Sequence, residues 1–302
     1  MNKIGEAMKK AQDVFKVFTP SVRMFLGIAF LPAWALFLLP LLLPEMKGAL
    51  GEAIQLVSWS FAMWAPGLGA LIATRWREDR EIKTLQLGKL GKIHVYVWAW
   101  MTPVLLVVAT GLATWGLGIG TFDVEFSIIE ESVSQLTQPR QLTAAQILGL
   151  QVVSSLFLAP IINTVFALGE ELGWRGFLLP RLLPLGQTKA MILTGVIWGA
   201  WHAPAVAQGL NYPDRPVLGM LMMLLFSTLF GIFLGWLYLK TKSPWAPALA
   251  HGSLNALAGL PLVFFLSLDT LWGGTVTSLT GLIIIAILLA ILYLSKELPV
   301  LS

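Results

Sequence analysis

Long apolar blocks with almost no charged residues constrain this chain more than any other feature of its sequence. Each block is about 20 residues long, the length that an α-helix needs to cross a hydrocarbon layer of roughly 30 Å. Charged residues make up only 12% of the 302 residues, whereas soluble domains carry about 25%. The sequence therefore predicts an all-α, polytopic integral membrane bundle, with residues 1–302 forming a single transmembrane domain.

A hydropathy window of about 19 residues predicts eight membrane spans. They lie at 22–43, 54–74, 93–119, 146–169, 189–208, 217–239, 245–266 and 275–294. Residues 1–21 form a basic segment ahead of the first span. No small-residue cleavage pattern follows that span, so we interpret it as a retained span and not as a signal peptide.

The Lys and Arg residues are distributed unevenly between the two ends of the predicted spans. Seventeen of the 20 lie at one end, and only Lys47, Arg140 and Arg215 lie at the other. Cytoplasmic connections carry the excess of Lys and Arg, so both termini are predicted to be cytoplasmic. The net charge of +4 is thereby explained by topology, and it indicates a lipid bilayer and no nucleic-acid partner.

Ionisable side chains are scarce inside the predicted spans, where each costs about 2.5–3.5 kcal/mol even on a lenient scale. Two of the three histidines, His202 and His251, nevertheless lie inside spans. The third, His94, lies at a span end, where an interfacial position is the simpler interpretation. Costly polar groups on separate spans make sense if they converge on one site.

Two adjacent carboxylates, Glu170 and Glu171, follow the fourth predicted span, and Arg175 comes four residues after the second. In a helix, Glu171 and Arg175 share a face in the favourable order for an ion pair, and Glu170 is rotated by about 100°. We therefore expect a structural ion pair and a separate carboxylate available as a general base. His251 and Asn255 are also spaced i and i+4, which places an imidazole beside an amide that can donate to an oxyanion.

Several catalytic designs are excluded by what the sequence lacks. It contains no cysteine, no His-Glu-x-x-His zinc-protease motif and no Gly-x-Ser-Gly nucleophile, and its aspartates all lie in predicted tails or loops. Glutamate and histidine remain, and they can activate water directly or through a divalent metal such as zinc, for which one Glu and two His form a recognised set. The sequence leaves that choice open.

Three motifs in chain order carry a family resemblance. The ordered set Glu170-Glu171-x-x-x-Arg175, Trp198-x-x-x-His202 and His251-x-x-x-Asn255 resembles the CAAX prenyl endopeptidase and bacteriocin-processing family of intramembrane proteases, also called the Abi family. The motifs lie within residues 165–260. The second motif usually begins with Phe in that family, so Trp198 departs from the pattern while keeping its aromatic character.

The resemblance implies a role for each motif residue. Glu170 would be the principal water-activating carboxylate, with His202 as its partner. Glu171 and Arg175 would support the site. His251 and Asn255 would bind the water or a metal and stabilise the tetrahedral oxyanion.

The resulting hypothesis is a bacterial endopeptidase of the cytoplasmic membrane, with a site open to the cytoplasmic side and a peptide or membrane protein as substrate. Two alternatives remain at this stage. Glu and His on neighbouring spans could form the relay of a proton- or cation-coupled transporter. The chain could also be a non-catalytic immunity or scaffold protein of the same fold. The sequence does not specify an oligomeric state.

The depth of the motif residues presents a physical difficulty. Counting about 1.5 Å per residue from the predicted cytoplasmic span ends puts Glu170 near the boundary, His251 about 10 Å deep and His202 nearly 20 Å deep. Straight parallel helices would keep these residues apart. Convergence requires helix tilt, an open cavity, or a fourth helix that is displaced by Pro160 and continues past Arg175.

Overall fold

The computed structural model describes residues 16–43, 48–134 and 142–299. Most of the predicted basic segment, together with Lys47 and Arg140, lies outside these ranges. The α-helices are α1 Pro20–Leu38, α2 Ala49–Ala62, α3 Ala65–Arg77, α4 His94–Gly116, α5 Ser127–Ser134, α6 Ala144–Glu171, α7 Leu179–Leu182, α8 Gln187–Trp201, α9 Ala203–Ala207, α10 Pro216–Thr241, α11 Trp245–Leu257 and α12 Leu279–Leu294.

Shorter elements complete the chain. A π-helix at Leu172–Leu178 joins α6 to α7, and two short strands, β1 and β2, pair in an antiparallel manner. The strands are β1 Gly120–Phe122 and β2 Phe265–Leu268, and the 3-10 helices are Leu39–Leu42, Ile82–Leu85, Leu183–Leu185 and Leu260–Phe264. The sequence does not predict the strands, and the first two residues of β2 fall in the end of the predicted span 245–266.

Six helical stretches in the described ranges are long and apolar enough to cross a membrane. They are Pro20–Leu42, Ala49–Arg77, His94–Gly116, Ala144–Leu185, Pro216–Thr241 and Trp245–Phe264. The predicted all-α membrane bundle is confirmed. The two other predicted spans correspond to α8 with α9 and to α12, which are shorter helices, so the number of eight spans and the cytoplasmic termini stay predictions.

Prolines mark two breaks within predicted spans. Proline lacks the N–H that would donate to the preceding turn, so helices tolerate it best in their first turn. Pro66 lies in the first turn of α3, just after the break from α2, and Pro204 lies in the first turn of α9. The second break places His202 between α8 and α9, where its backbone N–H donates to the carbonyl of Gly199 at 3.1 Å.

The fourth predicted span is longer than the sequence suggests. The sequence predicts 146–169, whereas the helical stretch runs without interruption over Ala144–Leu185. Because the helix continues through the π-helical segment and α7, about 20 Å of helix follow Glu170. The predicted position of Glu170 near the end of its helix is therefore wrong, and the continuation past Arg175 is one of the three routes to convergence that the sequence allows.

Glycines let the helices that carry the motifs pack backbone against backbone. A Cβ atom at Gly252 of α11 would lie 2.5 Å from the backbone nitrogen of Thr164 in α6. A Cβ atom at Gly195 of α8 would lie 2.6 Å from the Cα of Thr228 in α10. Small residues are favoured at such crossings because they allow close approach inside a membrane. These contacts pack α11 against α6 and α8 against α10.

Candidate active site

The two adjacent carboxylates, Glu170 and Glu171, have different partners in the structure. Glu171 Oε1 accepts a hydrogen bond from Arg175 Nη1 at 2.8 Å, and both side chains are fully buried. Glu170 is also buried, but its carboxylate has different partners. The two neighbours therefore face different surroundings, as the 100° step of a helix requires. The predicted i, i+4 ion pair is confirmed.

Two tryptophans hold the Glu170 carboxylate. Trp198 Nε1 donates to Glu170 Oε2 at 2.6 Å, and Trp174 Nε1 donates to the same oxygen over a longer 3.4 Å. Because 3.4 Å is longer than an ordinary N–H···O hydrogen bond, the Trp198 bond is the stronger of the two. The sequence offers one signal for it, since Trp198 stands where the family pattern has Phe, which has no donor.

The Glu171 carboxylate has a second partner that the sequence does not reveal. His251 Nδ1 donates to Glu171 Oε1 at 2.9 Å, so one oxygen accepts from both a guanidinium and an imidazole. A carboxylate that accepts from one ring nitrogen fixes the orientation of the imidazole and leaves the other nitrogen for chemistry. Glu171 thus positions His251, in addition to pairing with Arg175.

The orientation of His202 is set by the helix that carries it. Its Nδ1 lies 2.9 Å from the carbonyl oxygen of Trp198. A carbonyl can only accept, so Nδ1 carries the hydrogen and Nε2 of the neutral ring is an acceptor. The imidazole packs edge to face against Trp198 and Trp201, with ring centroids 5.5 Å and 4.9 Å away.

Trp198 contacts His202, His251 and Arg175. Its ring lies 5.2 Å from the His251 ring and 4.6 Å from the Arg175 guanidinium carbon, which sits over its face. The latter distance is within the range of a cation–π interaction. Residues from α6, the π-helix, α8 and α11 are therefore brought together around one indole.

The convergent side chains line one cavity of about 360 Å³. Glu170, His202, His251 and Asn255 all contribute to its wall. Glu171 and Arg175 lie behind this wall. Asn255 is exposed and lies one helical turn beyond His251, and its amide makes no hydrogen bond to the described residues. Glu170 and His202 thus line the same cavity, although counting from the predicted span ends puts them at different depths.

The segment that carries these side chains is similar to a known protein family. Residues 151–257 match the model for the type II CAAX prenyl endopeptidase Rce1-like family. This match covers 107 of the 302 residues and shows what that segment is similar to. The match confirms the family predicted from the motifs, and it spans all six predicted site residues. No curated protein is similar enough to the chain to count as a match.

The sequence leaves open a zinc site built from one Glu and two His. Among the described residues, no three His, Asp or Glu side chains are grouped closely enough to hold a metal ion. The arrangement of these side chains does not fit the zinc set that the sequence leaves open.

The cavity does not extend to the end of the bundle where the cations cluster. Glu170 forms a buried part of its wall, and its exposed wall residues, Leu56 and Asn255, lie farther from the basic end. The sequence predicts cytoplasmic termini from the cations and also a site open to the cytoplasm. Both the cytoplasmic termini and the cytoplasmic opening of the site stay predictions.

Proposed function

We propose that the chain is an intramembrane endopeptidase in which Glu170 is the general base that activates water. The observation that carries this proposal is the position of Glu170 at the buried end of a cavity that two histidines also line. A positioned carboxylate beside an imidazole can accept a proton from water and return it to a leaving group. Similarity to a protease family supports peptide-bond hydrolysis in general.

The reaction begins with a water molecule between Glu170 and the scissile carbonyl. Glu170 accepts one proton from the water, and the oxygen forms a bond to the carbonyl carbon. His202 Nε2 accepts the second water hydrogen in a hydrogen bond, since its Nδ1 is committed to a carbonyl. The π electrons of the carbonyl move to its oxygen, which becomes an oxyanion.

The tetrahedral intermediate then collapses. The Asn255 amide donates to the oxyanion, and His251, held by Glu171, positions the reacting groups from the same helix face. The proton on Glu170 passes to the amide nitrogen as the C–N bond breaks. The products are a carboxylic acid and an amine, so one water molecule is consumed for each bond cleaved.

The proposed substrate is a peptide or a segment of a membrane protein. Apart from Glu170 and the two histidines, the residues that line the cavity are uncharged, and many are large and apolar. A cavity of about 360 Å³ is at the lower end of the range for small-ligand sites. It suits a short extended stretch of chain with apolar side chains. The proposed location is a bacterial cytoplasmic membrane.

The buried ion pair favours hydrolysis over a transport relay. Glu171 and Arg175 are both fully buried and satisfy each other's charge directly behind the cavity wall. If either group took part in a relay it would have to give up its partner, and charges inside a membrane are costly to separate. Ion flux through proteoliposomes without proteolysis would support the transporter instead.

The test is hydrolysis of a peptide library by the purified full chain in detergent, with products identified by mass spectrometry. Glu170→Ala and His202→Ala are expected to abolish cleavage, because each removes a proton acceptor. Glu52→Ala, at an exposed position on α2, is the matched control and should retain activity. Full activity in either site variant would contradict the proposed mechanism. Cleavage by neither the variants nor the unaltered chain would favour the scaffold alternative.

A further inference from the structure

The two ends of the bundle differ sharply in charge. One end carries a basin of about 1300 Å³ whose wall includes seven cationic side chains and one carboxylate. The cations are Lys16, Arg77, Arg80, Lys89, Arg181, Lys189 and Lys242, and the carboxylate is Glu78. Glu78 is paired with Arg181. We call this concave surface the basic basin. By the positive-inside rule, the basic basin faces the cytoplasm.

Helix lengths separate the basic basin from the catalytic cavity. Along α1, Pro20 lines the basin and Phe37 lines the cavity, about 26 Å away along the helix axis. Along α8, Lys189 lines the basin, and His202, just past the end of that helix, lines the cavity about 20 Å away. Lys242 lines the basin just after α10, and Met223 of α10 lines the cavity. Three separate helices therefore place the cavity on the side opposite to the basin.

The exposure of the wall residues shows where the cavity opens. The residues nearest the basin, Glu170 and His251, are only 2% and 5% exposed. Farther along the same cavity, Leu56 is 70% exposed, Asn255 is exposed, and Ser60 is half-buried. The far end is exposed only in part, because Phe37 and Val276 there are 4% and 2% exposed. The mouth therefore lies beside Leu56 and Asn255, on the side of the cavity away from the basin.

Along α11 the wall residues change from buried to exposed with distance from the basin. Its first residue, Trp245, is anchored near the basin by a 2.8 Å hydrogen bond from Nε1 to the carbonyl of Leu87. His251 is about 9 Å farther along the axis and buried, and Asn255 is about 6 Å beyond that and exposed. The proposed oxyanion donor therefore lies between the proposed base and the mouth.

We propose that substrate enters the cavity from the non-cytoplasmic face of the membrane. The substrate class is then an apolar, extended peptide segment that lies outside the cytoplasm or in the outer leaflet. This inference rests on the proposed function for the nature of its substrate, but the route of entry follows from the cavity and the basin alone. It reverses the cytoplasmic access that the sequence suggests.

The chain is well suited to a test by single cysteines, because it contains none of its own. Ser60→Cys places a thiol in the cavity wall, and Thr84→Cys places one in the wall of the basic basin. Each variant is expressed in cells and treated with a membrane-impermeant maleimide before and after permeabilisation. We expect Ser60→Cys to be labelled in intact cells and Thr84→Cys only after permeabilisation.

The opposite pattern would overturn the proposal, as would a Ser60→Cys thiol that reacts only after permeabilisation. If Ser60→Cys does not accumulate, Met63→Cys offers a second wall position for the same measurement. Labelling requires no catalysis. A chain that cleaves no peptide would refute the proposed function, and the labelling result would still decide the entry route. The two proposals can therefore fail separately.

Discussion

Replacing Trp198 with Phe isolates the hydrogen bond to Glu170. The substitution keeps an aromatic ring and removes the indole N–H, whose 2.6 Å bond is the shorter of the two that hold the Glu170 carboxylate. It also restores the residue that is usual at this point of the family motif. The backbone carbonyl that orients His202 is unchanged, so the effect reports on Glu170.

The size of the effect follows from the burial of both partners. Hydrogen bonds to charged groups contribute about 1.5–3 kcal/mol. Since each 1.36 kcal/mol corresponds to a factor of ten in rate, loss of the bond predicts a kcat about 10- to 150-fold lower. The wall of the cavity retains its aromatic ring, so KM should change little. A purely structural defect would instead lower the melting temperature and the fraction of folded protein.

The assay is steady-state cleavage of a peptide identified from the library, with kcat and KM measured on folded monodisperse protein. Trp174→Phe is the matched control, because it removes the weaker donor at 3.4 Å from the same oxygen. We expect a much smaller change in kcat from that variant. A Trp198→Phe protein that is folded and keeps kcat within about twofold would refute the argument that this bond positions the general base.

Three further predictions address the metal, the helix packing and the basic end. Hydrolysis should survive a strong chelator; abolition by chelation and recovery with zinc would contradict the proposed direct activation of water. Gly252→Ala should lower the free energy of unfolding by about 1–3 kcal/mol through overpacking, whereas Gly149→Ala, which has open space around it, should not; equal melting temperatures would contradict this. Burial raises the pKa of Glu78, but the hydrogen bond and charge of Arg181 hold it below its usual 4.5. A depressed folded-state pKa stabilises the fold at pH values above the pKa of the unfolded chain, so Glu78→Gln should lower the free energy of unfolding by about 0.2–1 kcal/mol at pH 7. This difference should disappear as the pH falls below 4.5. A difference that persists in acid, or that equals the effect of the exposed control Glu81→Gln, would contradict the prediction.

Contacts within one helix could be predicted from the sequence, because helical periodicity is local. The Glu171–Arg175 pair follows from a spacing of four residues, and the separate direction of Glu170 follows from the 100° step. The persistence of the pair through a π-helical segment shows how robust that spacing is. The presence of His251 beside Glu171 could not be predicted in the same way, because it depends on how α11 packs against α6.

That packing is itself set by residues with no chemical signature. Gly252 allows the backbone of α11 to approach α6, which brings the preceding residue, His251, within reach of Glu171. A glycine in an apolar helix indicates close approach without naming the partner helix. The sequence therefore predicts which residues are costly to bury, and the three-dimensional packing decides which of them meet.

The error in the depth of Glu170 has a specific physical origin. A hydropathy window ends the fourth span at the two carboxylates, because it assigns each ionised side chain its full cost inside a membrane. In the structure the cost is offset locally, since Glu171 pairs with Arg175 and Glu170 accepts from two indoles. The helix can therefore continue past them. With Glu170 within the bundle instead of at its edge, its carboxylate reaches the cavity wall beside His202 and His251, and the ion pair lies behind that wall. The buried charges that mislead the hydropathy window are therefore the ones that build the inner part of the proposed site.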